Sequence, residues 1–203
     1  QHHRWQFGHA SYEVYFLQTD ANGGTGVGGR VNTALVTQRP ADEVATVPNP
    51  NPNGRPALGV RFGDTWYFSF HARAMGGQPN DAPAMIAAVD ATVPINQTWV
   101  VLGDFNREPQ QLQPTLAQPW PVHAAQDGHG RYLPTQQSGR ALDYAVARDN
   151  VAGIRLNRLG GASADHYAFA LGTLRGGAEP TARYSSDRAV ESMQAGGVLD
   201  ADR

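Results

Sequence analysis

Residues 99–109 read WVVLGDFNREP and decide the fold of this chain. The stretch opens with a continuous apolar run, a pattern that predicts a short strand buried on both faces. Asp104 and Asn106 come shortly after the end of that run. A strand fixes the backbone at such a position while the adjoining loop exposes the side chains, so both residues are candidates for catalysis.

Other predicted strands also carry titratable side chains at or near one end. These are His71 after the hairpin of residues 58–70, Asp143 within strand 142–147, and Asp165 with His166 before strand 167–171. Each has a structural alternative when taken alone: a partly buried histidine, a capped bulge or a turn. Taken together they suit metal-assisted phosphoryl chemistry, in which oxygen ligands hold Mg²⁺ and histidines move protons. An aspartate paired with a histidine fixes the tautomer of the ring, so that the histidine can deprotonate water.

The rest of the chain predicts further strands and few helices. The elements are two strands at 12–18 and 31–37 around a glycine-rich loop, and a helix at 81–93 with Asp81 as its N-cap. Residues 110–138 carry little pattern. We therefore predict one domain over residues 1–171, built as an α/β or α+β sandwich, and a polar tail over residues 172–203.

The composition excludes several classes of protein. A length of 203 residues suits one domain, and the absence of cysteine excludes a disulfide framework, a thiolate zinc site and a cysteine nucleophile. No apolar run is long enough to span a membrane as a helix, and a formal charge of -2 gives no overall attraction to nucleic acid. All 16 basic residues are arginine, whose rigid fork suits bidentate contacts to phosphate. No helical pattern follows the GTGVGG loop at 24–29, which argues against a dinucleotide site.

Several motifs resemble the endonuclease–exonuclease–phosphatase superfamily. They are GDFNREP at 103–109, LDYAVA at 142–147 and the run Asp165-His166-Tyr167. Within that superfamily the chain is similar to the CdtB family of cytolethal distending toxins. The segments that carry this closer similarity are GGRVNTALVTQRPADEV at 28–44, RPALGVRFG at 55–63, FHARAM at 70–75 and NDAPAMI at 80–86. The resemblance implies a deoxyribonuclease-I-like four-layer sandwich of two mixed sheets flanked by helices, with residues 1–171 as its C-terminal three quarters.

The resemblance also implies a role for each candidate residue in the Mg²⁺-dependent in-line hydrolysis of DNA phosphodiester bonds. In the catalytic group, His166 would activate the attacking water and Asp143 would orient the His166 ring. His71 would assist the leaving group or hold the phosphate. Asp104 and Asn106 would position the nucleophile and stabilise the phosphorane. Asp165 would be a metal ligand. The residues implied at the substrate phosphate are Arg30, Arg73 and Asn80.

Departures from the family pattern leave alternatives open. No Gln-Glu motif, whose glutamate binds the metal in the family, precedes Trp5. We therefore expect the chain to lack an N-terminal segment and to act with a companion segment or chain. The resemblance further implies lectin-like delivery subunits, secretion, and action in the nucleus of a host cell as a DNA-damaging toxin. The alternatives are a phosphoinositide phosphatase on the same fold and a catalytically inactive binding or assembly module.

Overall fold

The structure is a computed structural model that describes residues 1–19, 32–52, 54–74, 81–149, 154–163 and 166–173. Its elements, in chain order, are β1 (His2–Phe7), β2 (Ala10–Leu17), β3 (Thr33–Thr37), β4 (Glu43–Val47), β5 (Ala57–Phe62), β6 (Thr65–His71), α1 (Ala82–Thr92), β7 (Thr98–Asp104), α2 (Pro109–Leu112), a 3₁₀ turn (Gln113–Thr115), β8 (Val122–His123), β9 (Asp143–Ala147), β10 (Ile154–Ser163) and β11 (His166–Thr173). Among the described residues, neither α1 nor α2 is long and apolar enough to cross a lipid bilayer.

The central sheet has six strands in the order β4-β5-β6-β7-β9-β8. Its middle pair, β6 and β7, is parallel, and every other neighbouring pair is antiparallel. Alternate residues of β6 are buried, whereas Trp99, Val100 and Val101 of β7 are all buried because both faces of this strand are covered. The prediction of a fully buried strand ahead of Asp104 is therefore confirmed.

Helix α1 covers one face of the central sheet. Its apolar stripe, which includes Met85, Ile86 and Val89, joins Phe68 and Trp99 in the main core. The helix begins one residue after Asp81 as predicted, but the Asp81 side chain makes no capping bond to the helix. Asp81 is therefore the N-cap residue, as predicted, and its carboxylate is engaged by the loop that follows β6.

A three-stranded sheet, in the order β1-β2-β3, covers the other face. The predicted hairpin is present, since β2 and β3 pair antiparallel. Tyr15 from this sheet packs with Leu58 and Val60 of β5 in a second core cluster, and its hydroxyl accepts a hydrogen bond of 2.7 Å from the Ala41 amide. Two packed sheets with a helix outside confirm the predicted sandwich.

A separate antiparallel pair, β10 and β11, ends the described part of the chain. The predicted strand at 167–171 corresponds to β11, whereas β10 was not predicted. An isolated bridge pairs His166, the first residue of β11, with Gln136. β11 continues through Gly172 and Thr173, so the first two residues assigned to the tail belong to a strand. Residues 174–203 lie outside the described residues.

Candidate active site

Three neighbouring strands bring His71, Asp104 and Asp143 into one row. His71 pairs with Asp104 across the parallel β6–β7 ladder, and Asp104 pairs with Asp143 across the antiparallel β7–β9 ladder. Residues that pair directly across a ladder point to the same face of a sheet. The register of the central sheet therefore gathers these three side chains at one edge.

His166 completes the group from β11. Its Nδ1 lies 2.8 Å from Asp143 Oδ2, which makes an imidazole–carboxylate dyad. Both side chains are about one quarter exposed, at 28% and 23%. The carboxylate acts as acceptor and holds the ring proton on Nδ1, so the lone pair of His166 lies on Nε2. This arrangement can take a proton from a bound water molecule.

Asp104 faces both histidines. Its Oδ2 lies 3.4 Å from His71 Nε2 and 3.8 Å from His166 Nε2, and its Oδ1 accepts the backbone N–H of Asn106 at 2.7 Å. Burial raises the pKa of Asp104 to about 6, and the neighbouring negative charge of Asp143 acts in the same direction. The carboxyl group is therefore ionised at neutral pH but not by a wide margin.

His71 is held in its neutral form. Burial lowers its pKa to about 4, and the charge of Arg55 adds to this effect. Arg55 lies beneath the site, where its NH1 donates to the carbonyls of His71 and Ala72 at 3.3 and 3.2 Å. A neutral imidazole at this position can donate or accept a hydrogen bond near a phosphate without adding charge.

Asn106 occupies the left-handed backbone region, with a φ of 49°, which asparagine tolerates better than most residues. Its amide Nδ2 donates to the Ala72 carbonyl at 2.8 Å, and this contact fixes the side chain against the end of β6. The preceding Phe105 is fully buried and stacks on Tyr144 at 4.4 Å between ring centroids. An aromatic anchor thus sets the position of Asn106 beside Asp104.

The structure adds positioning residues that the sequence did not indicate. The buried Thr135 hydroxyl accepts the backbone N–H groups of Leu142 at 2.7 Å and Asp143 at 2.9 Å. Gln136 contacts the ring of His166, with its Nε2 at 3.3 Å from His166 Nε2. Both residues lie in 110–138, where neither apolar periodicity nor a motif distinguishes them. The RPALG motif includes Arg55, but nothing in the motif indicates the polar role of this residue.

Asp81 supports the opposite side of the site. Its buried carboxylate accepts the Arg73 backbone N–H at 2.8 Å and the Asn49 side-chain amide at 2.8 Å. These bonds tie the N-terminus of α1 and the β4–β5 loop to the residues that follow His71. A buried carboxylate with such partners is typical of a structural polar network.

The structure brings together a majority of the predicted site residues. The group that meets at this edge consists of His71, Asp104, Asn106, Asp143 and His166. Burial lowers the pKa of Arg55, and the charge of Arg73 adds a smaller effect in the same direction. Arg73 therefore lies close to Arg55, beneath the site. Arg30, Asn80 and Asp165 fall outside the described residues.

The same edge can hold a divalent metal ion. Asp104, Asp143 and His166 each offer one ligand atom, and these atoms lie within 4.8 Å of one another. Carboxylate oxygens suit hard cations, whereas an imidazole nitrogen is more usual with transition metals. The donor set therefore fits a divalent cation held mainly by the carboxylates.

Comparisons with known proteins identify the family. No protein-family model matches the chain. The CdtB subunit of cytolethal distending toxin from Escherichia coli is 44% identical over 146 residues, which are 68% of this chain and 51% of that protein. The solved structure of CdtB, the biologically active subunit of cytolethal distending toxin, matches with 34% identity and a TM-score of 0.68 over 81% of this chain and 69% of that one. The chain belongs to the CdtB family.

A more distant match shows the fold alone. An endonuclease/exonuclease/phosphatase family protein from Leptotrichia buccalis is 12% identical, with a TM-score of 0.50 over 74% of this chain and 64% of that one. This CdtB-family chain spans about half the length of the curated relative from Escherichia coli. The deoxyribonuclease-I-like architecture expected from the resemblance is confirmed.

Proposed function

We propose that this chain is the hydrolytic component of a secreted toxin and that it cleaves DNA phosphodiester bonds with the help of Mg²⁺. The observation that carries the proposal is the dyad of His166 and Asp143, 2.8 Å apart and facing Asp104 in a member of the CdtB family. A base, its orienting carboxylate and a second carboxylate at one sheet edge are the groups that activation of water at phosphorus requires.

The reaction begins with proton removal from a water molecule by His166 Nε2. Asp143 Oδ2 keeps the other ring proton on Nδ1 and stabilises the imidazolium that forms. The pair therefore increases the nucleophilicity of the water while Asp143 itself stays ionised. General-base assistance of this type contributes roughly 10²- to 10⁴-fold to the rate.

The other polar groups act on the phosphate and the leaving oxygen. His71, neutral because its pKa is about 4, donates a hydrogen bond near the leaving group. Asp104 orients the water, and the Asn106 amide donates to phosphoryl oxygens as charge develops. A bound Mg²⁺ would neutralise charge on the phosphate, with Asp104 and Asp165 as the carboxylates that hold it.

Arginine and amide side chains around this edge would bind the substrate backbone. We assign this role to Arg30, Arg73 and Asn80, as in the family pattern, and Arg73 follows His71 by two residues. The guanidinium fork pairs with phosphate through two parallel hydrogen bonds. Contacts of this kind depend on charge and make binding sensitive to salt.

Family membership supports a proposal for the place of action. The relative from Escherichia coli is described as a toxin subunit, so we propose that this chain acts together with delivery subunits of a lectin-like kind. Because DNA is the proposed substrate, we propose the nucleus of the host cell as the place of action. Secretion and nuclear entry are part of the same proposal.

Nicking of supercoiled plasmid tests the activity. The chain is incubated with plasmid in Mg²⁺, beside the His166→Ala variant and a sample with EDTA. We expect nicking by the wild-type chain, nicking slower by roughly 10²- to 10⁴-fold with His166→Ala, and none in EDTA. Phosphate release from inositol lipids without nicking would replace DNA by a phosphoinositide as the substrate. Absence of both activities in a folded chain would support an inactive assembly module.

A further inference from the structure

A tight turn at residues 135–140 lies against both members of the dyad. The backbone N–H groups of Thr135 and Gln136 both donate to the Arg140 carbonyl, at 2.9 and 3.0 Å, and the Gly139 N–H donates to the Gln136 carbonyl at 3.0 Å. The Thr135 hydroxyl holds the backbone of Asp143, and Gln136 pairs with His166 through a backbone bridge. The turn is therefore rigid where it meets the dyad.

The amide of Gln136 has one orientation. Its Oε1 accepts the Ser138 hydroxyl at 2.7 Å and the Arg140 NH2 group at 3.0 Å. Arg140 Nε also donates to Ser138 Oγ at 3.3 Å, which supports the same arrangement. Because two donors occupy Oε1, the amide nitrogen is the atom that faces His166 Nε2, at 3.3 Å.

This orientation constrains the imidazole ring. The Gln136 amide nitrogen can only donate, so His166 Nε2 accepts and carries no proton in this contact. Asp143 can only accept when ionised, so the ring proton lies on Nδ1. Both neighbours thus select the same tautomer, and Asp104 Oδ2, at 3.8 Å from Nε2, lies beyond hydrogen-bond distance. The distance of 3.3 Å is long for a hydrogen bond, so an attacking water can replace the amide at Nε2.

We propose that Gln136, held by Ser138 and Arg140, is a positioning residue that keeps the His166 ring in the tautomer and orientation of a general base. The inference rests on the proposed hydrolytic function, but its structural part concerns only the ring. Asp143 fixes one side of the imidazole, and Gln136 fixes the other. A ring held on one side alone would rotate, and misplacement by about 1 Å can reduce a rate by roughly 100-fold.

Two near-isosteric variants test the proposal in the full chain. Gln136→Met removes the hydrogen bond, and we expect kcat for plasmid nicking to fall about 10- to 100-fold with KM within about two-fold of wild type. Gln136→Glu places acceptor oxygens at Nε2 and favours a proton there, so its kcat should be lower than that of the methionine variant. The controls are Gln110→Met and Gln110→Glu at an exposed position of α2, which should retain wild-type kcat.

A spectroscopic measurement separates this inference from the proposed function. The ¹⁵N signals of the His166 ring, assigned by difference with His166→Ala, should show an unprotonated Nε2 in the wild-type chain and a protonated Nε2 in Gln136→Glu. Unchanged ring signals in both Gln136 variants would overturn the inference, whatever the activity. Kinetics equal to those of the Gln110 controls would also overturn it. Absence of nicking by the wild-type chain would instead contradict the proposed function.

Discussion

At the scale of single residues, the two carboxylates of the site differ because their surroundings differ. Asp143 is one quarter exposed and accepts a short bond from an imidazole, whereas the Asp104 side chain is 12% exposed and lies beside Asp143. Burial of a charge without a full set of partners disfavours ionisation. Asp104 thus lies at the site at a cost to stability, which is common for groups of functional sites.

Replacement of Asp104 by asparagine should raise the melting temperature above pH 6. The Asp104 pKa rises from 3.8 to about 6 on folding, so this group stabilises the fold below pH 4 and loses that contribution as pH rises to 6. In EDTA, Asp104→Asn and wild type should melt within about 1 °C of each other near pH 4. At pH 8 the variant should melt on the order of 5 °C higher.

The exposed Asp64 provides the control for this experiment. Asp64→Asn removes the same charge from a position outside the site, so it corrects for the overall change in charge. An equal gain for both variants at pH 8 would contradict the explanation from burial.

Removal of Asp143 should abolish most activity while leaving the fold intact. Without the carboxylate, His166 loses the partner that fixes Nδ1–H and stabilises the imidazolium. We expect Asp143→Ala to reduce the nicking rate by about 10² to 10⁴, and the double variant with His166→Ala to be no slower than His166→Ala alone. Additive losses in the double variant would show that the two residues do not act as a unit.

The residues of the site that the sequence predicted share one property. Each lies at the end of an apolar strand or in a family motif, as Asp104 and Asp143 do. Thr135 and Gln136 lie in a turn whose contacts are set by long-range packing against β9 and β11. A turn of this kind leaves no periodic signal, so local sequence cannot reveal which strand it supports.

At the scale of elements, the close approach of β6 and β7 depends on Gly103. Its φ is 149°, in a region that side chains rarely adopt, and a Cβ built there would lie 1.8 Å from the Phe70 carbonyl oxygen. Both the conformation and the contact exclude any larger residue. The strand pair that aligns His71 with Asp104 therefore requires glycine at this position.

Gly103→Ala should destabilise the chain by at least about 3 kcal/mol. The substitution forces the β6 and β7 backbones apart at the site, so nicking should fall together with stability. Urea unfolding followed by circular dichroism measures the change. Gly128→Ala is the control, because nothing lies within 4 Å of a Cβ there, and it should change stability by less than about 1 kcal/mol. Equal stability of the two variants would contradict the steric argument.

The C-terminal end of α1 is completed by a residue from far along the chain. The Arg148 guanidinium donates to Asp90 Oδ1 at 2.9 Å, to the Asp90 and Val93 carbonyls at 2.7 and 2.9 Å, and to the carbonyls of Pro94 and Gln97 at 2.6 and 2.7 Å. The Asp90 and Val93 carbonyls lie at the helix end, where carbonyls lack intrahelical partners, and those of Pro94 and Gln97 lie in the turn that follows. One side chain thus joins α1 to the end of β9.

Arg148→Lys should cost about 2 to 4 kcal/mol even though the charge is kept. An ammonium group cannot reach acceptors spread around a planar fork, so partly buried carbonyls lose their donors. Arg131→Lys, at an exposed position, should change stability by less than about 1 kcal/mol in the same urea titration. If the Arg148→Lys variant were as stable as wild type, the charge of the side chain rather than the geometry of its fork would explain the contribution of Arg148.

The elements predicted from the sequence were those with strong local patterns. The alternation in β6, the continuous apolar run of β7 and the helical stripe of α1 each determine how the segment is buried. The short strand β8, Val122–His123, and the exposed strand β1 carry no such pattern. Their pairing is decided by the strand beside them, β9 and β2 respectively, and so it escaped prediction.

At the scale of the whole molecule, the two faces of the three-stranded sheet are unequal. One face carries Tyr15, which is 3% exposed against β5, and the other carries Trp5 and Phe7, each 50% exposed. Trp5 pairs with Tyr12, and Val14 pairs with Val36, so these side chains extend the same outer surface. An apolar patch of this kind favours association with another surface.

Removal of this patch should reduce self-association without weakening the fold. We expect the wild-type chain to form larger species as its concentration rises in sedimentation velocity runs, and the Trp5→Ser/Phe7→Ser double variant to sediment as a monomer. Both residues are half exposed, so the melting temperature should change by only a few degrees. Ile95→Ser is the matched control, since Ile95 is 93% exposed but lies away from the patch, in the turn after α1. If the double variant associated as strongly as the control, the outer face of the three-stranded sheet would not be the surface through which this chain associates.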